Sequence, residues 1–364
     1  MDSTSDEREG LPSASAIEQI KLCPGSYSYK KLFPRVESSD GNEGTIRHDL
    51  IEQVILGSLS LDEISDQEQH KCTSLALNIL ENIEKEIGVG KHDDQWLEKR
   101  VWLSHKEDKL YSAKYDLLRC YKTGDSYVHL LVDWKTLYGE HTPAQNNIQL
   151  LAQALAVYRN SSEVSKIYCA LAEPFPTPTY SLVEYSPERL ETLESMIQEI
   201  IGKAHDPNAP RQPGLKQCKY CDGLAHCPEV KEEIKKASGV KPEETDLVKA
   251  LELAVLADKW AVAVKKRART SLNDGEKIEG WKLRSSGSTK SIKDADACAK
   301  AIMETNQLDW TELLSASSIS WSRLIKAWQE KRKINRKEAV EELLKVLEGV
   351  VQETPKAPSL IKAK

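Results

Sequence analysis

The chain has 364 residues, a formal net charge of −6, and 40% hydrophobic against 30% charged residues, the composition of an ordinary globular protein with room for two domains. No stretch approaches the roughly 18 consecutive apolar residues of a membrane-spanning helix, and the polar N-terminus lacks the apolar core of a secretory signal, so the expectation is a cytoplasmic protein with no membrane partner. Eight cysteines in a reducing compartment then point to metal or cluster binding where spacing permits, rather than to a disulfide framework.

The charge is unevenly placed. Residues 259–293 hold ten Lys/Arg against three Asp/Glu, and residues 323–337 hold seven against one. Such runs suit a surface that tracks phosphates, or equally two solvated helix faces.

In chain order, residues 1–12 read as a disordered tail. Ser15 and Glu18 have capping-box spacing and open a short helix that carries Ile17 and Ile20 towards Cys23. A helix over 41–58 places Ile46, Leu50, Ile51 and Val54 on one face, with His48 among them. A longer amphipathic helix covers 67–87. Three extended runs follow, at 96–103, 110–121 and 127–136, joined as a meander. A helix over 143–159, strands over 166–172 and 180–185, and a helix over 187–204 complete an α/β order that implies a mixed central sheet flanked by helices. Beyond residue 229 the pattern is mainly helical to residue 351: a long helix over 243–269, a short extended piece near Trp281, and helices over 294–305, 320–331 and 336–350. Residues 352–364 read as a flexible tail.

Leu130, Leu131 and Val132 form a short buried strand that ends on Asp133, Trp134 and Lys135. Side chains at i and i+2 share a face, so Asp133 and Lys135 project together and Trp134 projects the other way. The preceding extended run ends on a second acid, Asp116. Two carboxylates from neighbouring strands can hold a hard divalent cation, and a lysine beside them can orient a water or stabilise charge developing on a phosphate. Taken alone, an Asp-x-Lys pair is more often a surface ion pair. Glu98 is a further acid on the first extended run, but glutamates at strand ends are common and it stays outside the expected site.

The set Asp116, Asp133-Trp134-Lys135 and Gln149, with His48 on an early helix, resembles the PD-(D/E)XK nuclease superfamily. The similarity is to its RecB-like branch, which includes CRISPR-adaptation exonucleases, the AddB nuclease domain and phage-encoded relatives. That resemblance implies a restriction-endonuclease-like core. Asp116, Asp133 and His48 would bind Mg2+ or Mn2+, Lys135 would serve the nucleophilic water, and Gln149 would orient the lysine or the DNA. Two positions depart from the family pattern: Ala113 stands where a glycine is frequent, and Gln153 where a tyrosine is usual. Tyr158 lies further along the same helix.

Cys218, Cys221 and Cys227 form a C-x2-C-x5-C set after a loop rich in proline and glycine. With one distant partner they make four thiolates, enough for a zinc ion or a [4Fe–4S] cluster. Cys23 is the expected partner and His226 the alternative. A clip between Cys23 and this set would join the two ends of a domain spanning residues 13–228. Similarity to the cluster of the CRISPR-adaptation and AddB nucleases favours iron over zinc. The remaining cysteines read as small buried apolar residues.

The resemblance thus implies a metal-dependent DNA exonuclease of phage-type or CRISPR-type recombination, in a bacterial or phage-infected cell. Its substrate would be single-stranded DNA or DNA with free ends, and its partner an annealing protein, a helicase or an integrase. The alternatives are a non-catalytic iron–sulfur DNA-binding or recombination-partner protein and a zinc-stapled interaction module. Residues 229–351 resemble the C-terminal part of phage-borne RecB-like nucleases, which implies contact with DNA or a partner.

Overall fold

A computed structural model describes residues 8, 10–33, 39–238, 246–283, 300, 304 and 321–346. The chain divides into two compact units, residues 1–283 and 284–364. Of the expected helix over 294–305 only residues 300 and 304 are described, and residues 352–364 and residues 1–7 and 9 lie outside the described residues, as does Cys298. No helix among the described residues is long and apolar enough to cross a membrane.

The first unit opens with helices α1 (Ile17–Leu22), α2 (Ser26–Lys30), α3 (Ser39–Ile55) and α4 (Gln67–Ile87). Ser15 lies inside a 3-10 turn, Ala14–Ala16, that precedes α1, and the expected capping box around it is not formed. Asp66 caps α4 by accepting from the Gln69 amide, and Gly88 ends it in the left-handed region at φ 71°, a conformation that glycine takes without a side-chain clash.

Strands β1 (Asp94–Leu97), β2 (Arg100–His105), β3 (Asp108–Lys114), β4 (Leu117–Thr123) and β5 (Ser126–Trp134) follow. The sequence pattern predicts two continuous runs where the structure has four strands. The first run bends at Glu98 and Lys99, the second at Tyr115 and Asp116, and the two bends meet. The Glu98 amide donates to the Asp116 carbonyl at 3.1 Å and the Tyr115 amide to the Lys99 carbonyl at 3.2 Å. Beyond the bends, β2 and β3 form a separate two-stranded ribbon.

The chain continues through α5 (Ile148–Arg159), β6 (Val164–Glu173), β7 (Thr179–Tyr185) and α6 (Pro187–Ala204). The main sheet has the order β1-β4-β5-β6-β7, with β5 and β6 parallel and the other neighbours antiparallel. The parallel pair needs a crossover, which α5 supplies. Alternate residues of β5 feed two cores. Leu131 joins the side of α1, α5 and α6, whereas Leu130, Val132 and Trp134 join the side of α3 and α4. This is the expected mixed α/β architecture with helices on both faces.

Helix α7 (Pro228–Ser238) and the long α8 (Leu247–Asn273) close the first unit, packing through Val230, Ile234, Leu256 and Trp260 beside the cysteine loop. In the second unit, α9 (Trp321–Arg332) and α10 (Arg336–Val346) pair through Ile325, Ala339 and Leu343.

Candidate metal centre and cysteine pocket

The paired bends bring three groups from separate parts of the chain together. His48 comes from α3, Glu98 from the bend after β1 and Asp116 from the bend before β4. One ligand atom from each lies within 4.8 Å of the others. His48 Nδ1 is 3.6 Å from Asp116 Oδ2 and 3.9 Å from Glu98 Oε1, and all three side chains are only about a quarter exposed or less. Glu98 holds φ at 48°, a left-handed backbone that a non-glycine residue adopts at a cost. That turn aims its carboxylate back towards His48, while its other oxygen pairs with Lys114.

Asp133 and Lys135 emerge from the end of β5 as the alternation requires. Asp133 is 3% exposed. Gln149 Nε2 donates to its Oδ1 at 2.7 Å, and Lys135 Nζ stands 2.5 Å from its Oδ2. The two form a close, largely buried ion pair at the end of β5. The bridge to the first group is the backbone: the Trp134 amide donates to Asp116 Oδ2 at 2.7 Å. Gln149 reaches Asp133 from the first turn of α5, because the helix starts at Ile148 with Asn147 as its cap, later than the spacing predicts.

The electrostatics describe a site short of positive charge. Burial and the nearby Asp133 push the Asp116 carboxyl from 3.8 up to about 7, against the lowering influence of His48 and the Trp134 amide. Burial opposes charge on His48, but Glu98, Asp116 and Asp133 together raise its pKa. Burial likewise opposes charge on Lys135, and Asp133 and Asp116 outweigh it. For Glu98, burial raises the pKa while His48 and Lys114 prevail and lower it.

The structure therefore brings together every expected residue of the acidic site: His48, Asp116, Asp133, Lys135 and Gln149. Glu98 carries more of the geometry than its sequence position suggests. The signal for it is the charged triplet Glu98-Lys99-Arg100, which breaks an otherwise apolar run. Arg47 is a residue that sequence reasoning missed. Its guanidinium is buried, donates to the Thr136 carbonyl at 2.8 Å, pairs with Glu43 and lies 4.6 Å over the Phe175 ring. It ties the helix of His48 to the loop that leaves Lys135. Gln153 is buried against β3 and donates to the Lys114 carbonyl at 2.8 Å. Tyr158 bonds Glu191 of α6, and its position nine residues after Gln149 puts it about 13 Å along the helix from the site.

The cysteine set forms a second centre. Cys23, Cys218, Cys221 and Cys227 line one small pocket with Tyr29, Arg211 and Leu224. Among the described residues no three of their sulfurs come within 4.8 Å of one another, and no disulfide is formed. Backbone amides of Gln212 and Gly214 point at the sulfurs of Cys23 and Cys218, at 3.2 and 3.4 Å. Burial pushes the thiols of Cys221 and Cys227 up to about 11. Arg211 grips Glu229 through two hydrogen bonds of 2.7 and 2.6 Å, and Glu229 sits 3.4 Å from the Cys227 sulfur. His226 stacks on Phe33 with ring centroids 4.1 Å apart and its Nδ1 meets Arg267; it does not line the pocket. The other described cysteines, Cys72, Cys120 and Cys169, are buried singly in helix or strand.

A family model described as "Protein of unknown function (DUF2800)" matches residues 10–364. No curated protein matches the chain. Among solved structures, one described as a "Putative exonuclease" from Eubacterium rectale is similar over 58% of this chain and 90% of its own, at 14% identity and a TM-score of 0.35.

Proposed function

We propose that this chain, which belongs to the DUF2800 family of proteins of unknown function, is a divalent-cation-dependent deoxyribonuclease of the PD-(D/E)XK type, RecB-like branch, acting as an exonuclease. The observation that carries the reading is the convergence of His48, Glu98 and Asp116 beside the Asp133, Lys135 and Gln149 network. Three carboxylates gathered in a half-buried space repel one another. A hard cation with oxygen and imidazole ligands offsets that repulsion. The donor set fits such an ion, with two carboxylate oxygens and one imidazole nitrogen within 4.8 Å of one another.

When bound, Mg2+ or Mn2+ would supply Lewis-acid charge to the scissile phosphate. His48, Glu98 and Asp116 would hold it, with Asp133 adjoining. Lys135, kept protonated by Asp133 and Asp116, would orient the attacking water and neutralise charge on the phosphate. Gln149 would fix Asp133, and through it the lysine. The basic run along α8 would track the backbone of a DNA strand with a free end.

The cysteine pocket supports a [4Fe–4S] cluster held by Cys23, Cys218, Cys221 and Cys227 as a structural clip. Four sulfurs on a single zinc ion would stand about 3.8 Å apart. The wider spread of these thiols favours a larger group, and amides aimed at sulfur favour thiolates. Zinc is the less favoured occupant.

End-labelled single- and double-stranded DNA, incubated with Mn2+ or Mg2+, tests the reading with Lys135→Ala alongside. The expected result is progressive shortening that requires the cation and falls by about 10²–10³-fold in the variant. The label position also reads the polarity. Absence of cleavage by folded, cluster-loaded protein on both substrates would overturn it in favour of a non-catalytic iron–sulfur DNA-binding or recombination-partner protein.

A further inference from the structure

A second histidine–carboxylate pair stands at the same end of the sheet and has no part in the site described above. His141, in the loop between β5 and α5, donates from Nδ1 to Glu173 Oε1 at 2.5 Å. Against an ionised carboxylate, which only accepts, the Nδ1 must carry the hydrogen. The pair is about three-quarters shielded from solvent. Nε2 makes no hydrogen bond among the described residues. A Cβ at Gly139 would come within 3.2 Å of it, so glycine at that position leaves the nitrogen uncovered on that side.

The sheet fixes where this pair lies. In the parallel β5–β6 register Asp133 stands opposite Leu171 and Trp134 opposite Ala172, and the Lys135 amide donates to the Ala172 carbonyl at 2.8 Å. Glu173 is therefore the residue level with Lys135 on the next strand. The order β4-β5-β6 puts Asp116 on one side of the Asp133–Lys135 strand end and the His141–Glu173 pair on the other. Neighbouring strands are about 4.8 Å apart. In an in-line displacement the attacking and leaving oxygens lie on opposite sides of phosphorus. A phosphate seated at Lys135, with water on the Asp116 side, turns its leaving oxygen towards β6.

We propose that His141, oriented by Glu173, is a further catalytic residue that protonates the leaving oxygen of the scissile phosphodiester. The proposal rests on the nuclease reading. In the step, the water oxygen forms its bond to phosphorus and gives a proton to solvent. His141 acts here as the imidazolium, with a hydrogen on each ring nitrogen: the bond from phosphorus to the leaving oxygen breaks, that oxygen takes the Nε2 proton, and the ring is left neutral with its hydrogen on Nδ1. Solvent then restores the proton to Nε2. Glu173, accepting from Nδ1 before and after the transfer, holds the ring orientation that leaves Nε2 facing the substrate.

The test compares ordinary DNA with DNA whose leaving oxygen is replaced by sulfur, since a thiolate departs without being protonated. With Mn2+ present, His141→Gln should slow cleavage of ordinary DNA by about 100-fold or more, bind the oligonucleotide as the wild type does by fluorescence anisotropy, and cleave the sulfur-bridged substrate close to the wild-type rate. Glu173→Gln and Gly139→Ala should show smaller losses with the same rescue, and they carry the test if His141→Gln does not fold. Equal slowing on both substrates, or none on either, overturns the assignment while the nuclease reading stands. A wild type inert on both substrates removes the nuclease reading and this residue's role with it.

Discussion

The acidic site and the cysteine pocket belong to the same compact unit but are held in different ways. In the acidic site each side chain is placed by the sheet. Asp133 is fixed by the end of β5, Glu98 and Asp116 by bends that hydrogen-bond each other, and His48 by a helix that Arg47 anchors to the same strand end. The cysteine pocket has loop backbone around it, a few amide-to-sulfur contacts, and thiols whose ionisation burial opposes. The first site can exist without its ion because the fold has already met the cost of ordering it. The second has only a small apolar cluster beside it, and on the proposed reading a bound cluster would complete it. On the proposed function a ligand would be a reagent in one region and part of the fold in the other.

The sharpest way to break that contrast is to remove one thiolate. Cys221→Ala should lose the visible absorbance and iron of the cluster-loaded protein and lower its melting temperature by about 10 °C or more, since a clip that closes so long a stretch of chain restricts the unfolded state strongly. A circular-dichroism melt that the substitution leaves unchanged would count against the clip. Glu98→Gln should do the reverse. It should weaken Mn2+ binding in a calorimetric titration by about ten-fold or more, comparable to losses seen on altering a metal's surroundings, while the melting temperature of the cation-free protein stays within a few degrees of the wild type. A large fall in stability here would mean that Glu98 is chiefly the partner of Lys114.

The smallest effect concerns the sheet that carries the acidic site. His129 on β5 is 5% exposed, its Nδ1 has no hydrogen-bond partner among the described residues, and burial pushes its pKa from 6.5 down to about 4. The unfolded chain therefore takes up a proton that the folded chain refuses. Stability contributed by the neutral imidazole is full above pH 6.5 and declines as pH falls from about 6.5 to about 4. His129→Leu should flatten that segment of a plot of melting temperature against pH, and an unchanged slope would assign the acid loss to other groups.

Much of this was legible in the residues. The run of Leu130 to Val132 ending on Asp133 and Lys135 gave the strand, its two faces and the shared projection of acid and lysine. The periodicity of residues 67–87 and 187–204 gave α4 and α6 to the residue, because long amphipathic helices carry redundant signals. The breaks at Glu98 and Asp116 were not legible. An extended run bends when a neighbouring strand bends at the same level, and that pairing is non-local. Helix α7 also escaped, its short charged sequence having little apolar periodicity apart from Val230 and Ile234.

The sequence by itself determined the candidates for chemistry: an acid at the end of a strand, a lysine two residues on, a second acid in the preceding extended run, a helical histidine, and four thiols at telling spacings. These follow from local rules, since alternation along a strand and the turn of a helix are set by neighbouring residues. Only the tertiary structure decided the membership of the site. Glu98 joins His48 and Asp116 because two bends coincide, Tyr158 falls away because α5 runs back from the strand end, and His141 meets Glu173 because β5 and β6 are parallel and in a particular register. Distances between residues far apart in the chain depend on how strands pair and helices pack, and no local pattern encodes that pairing.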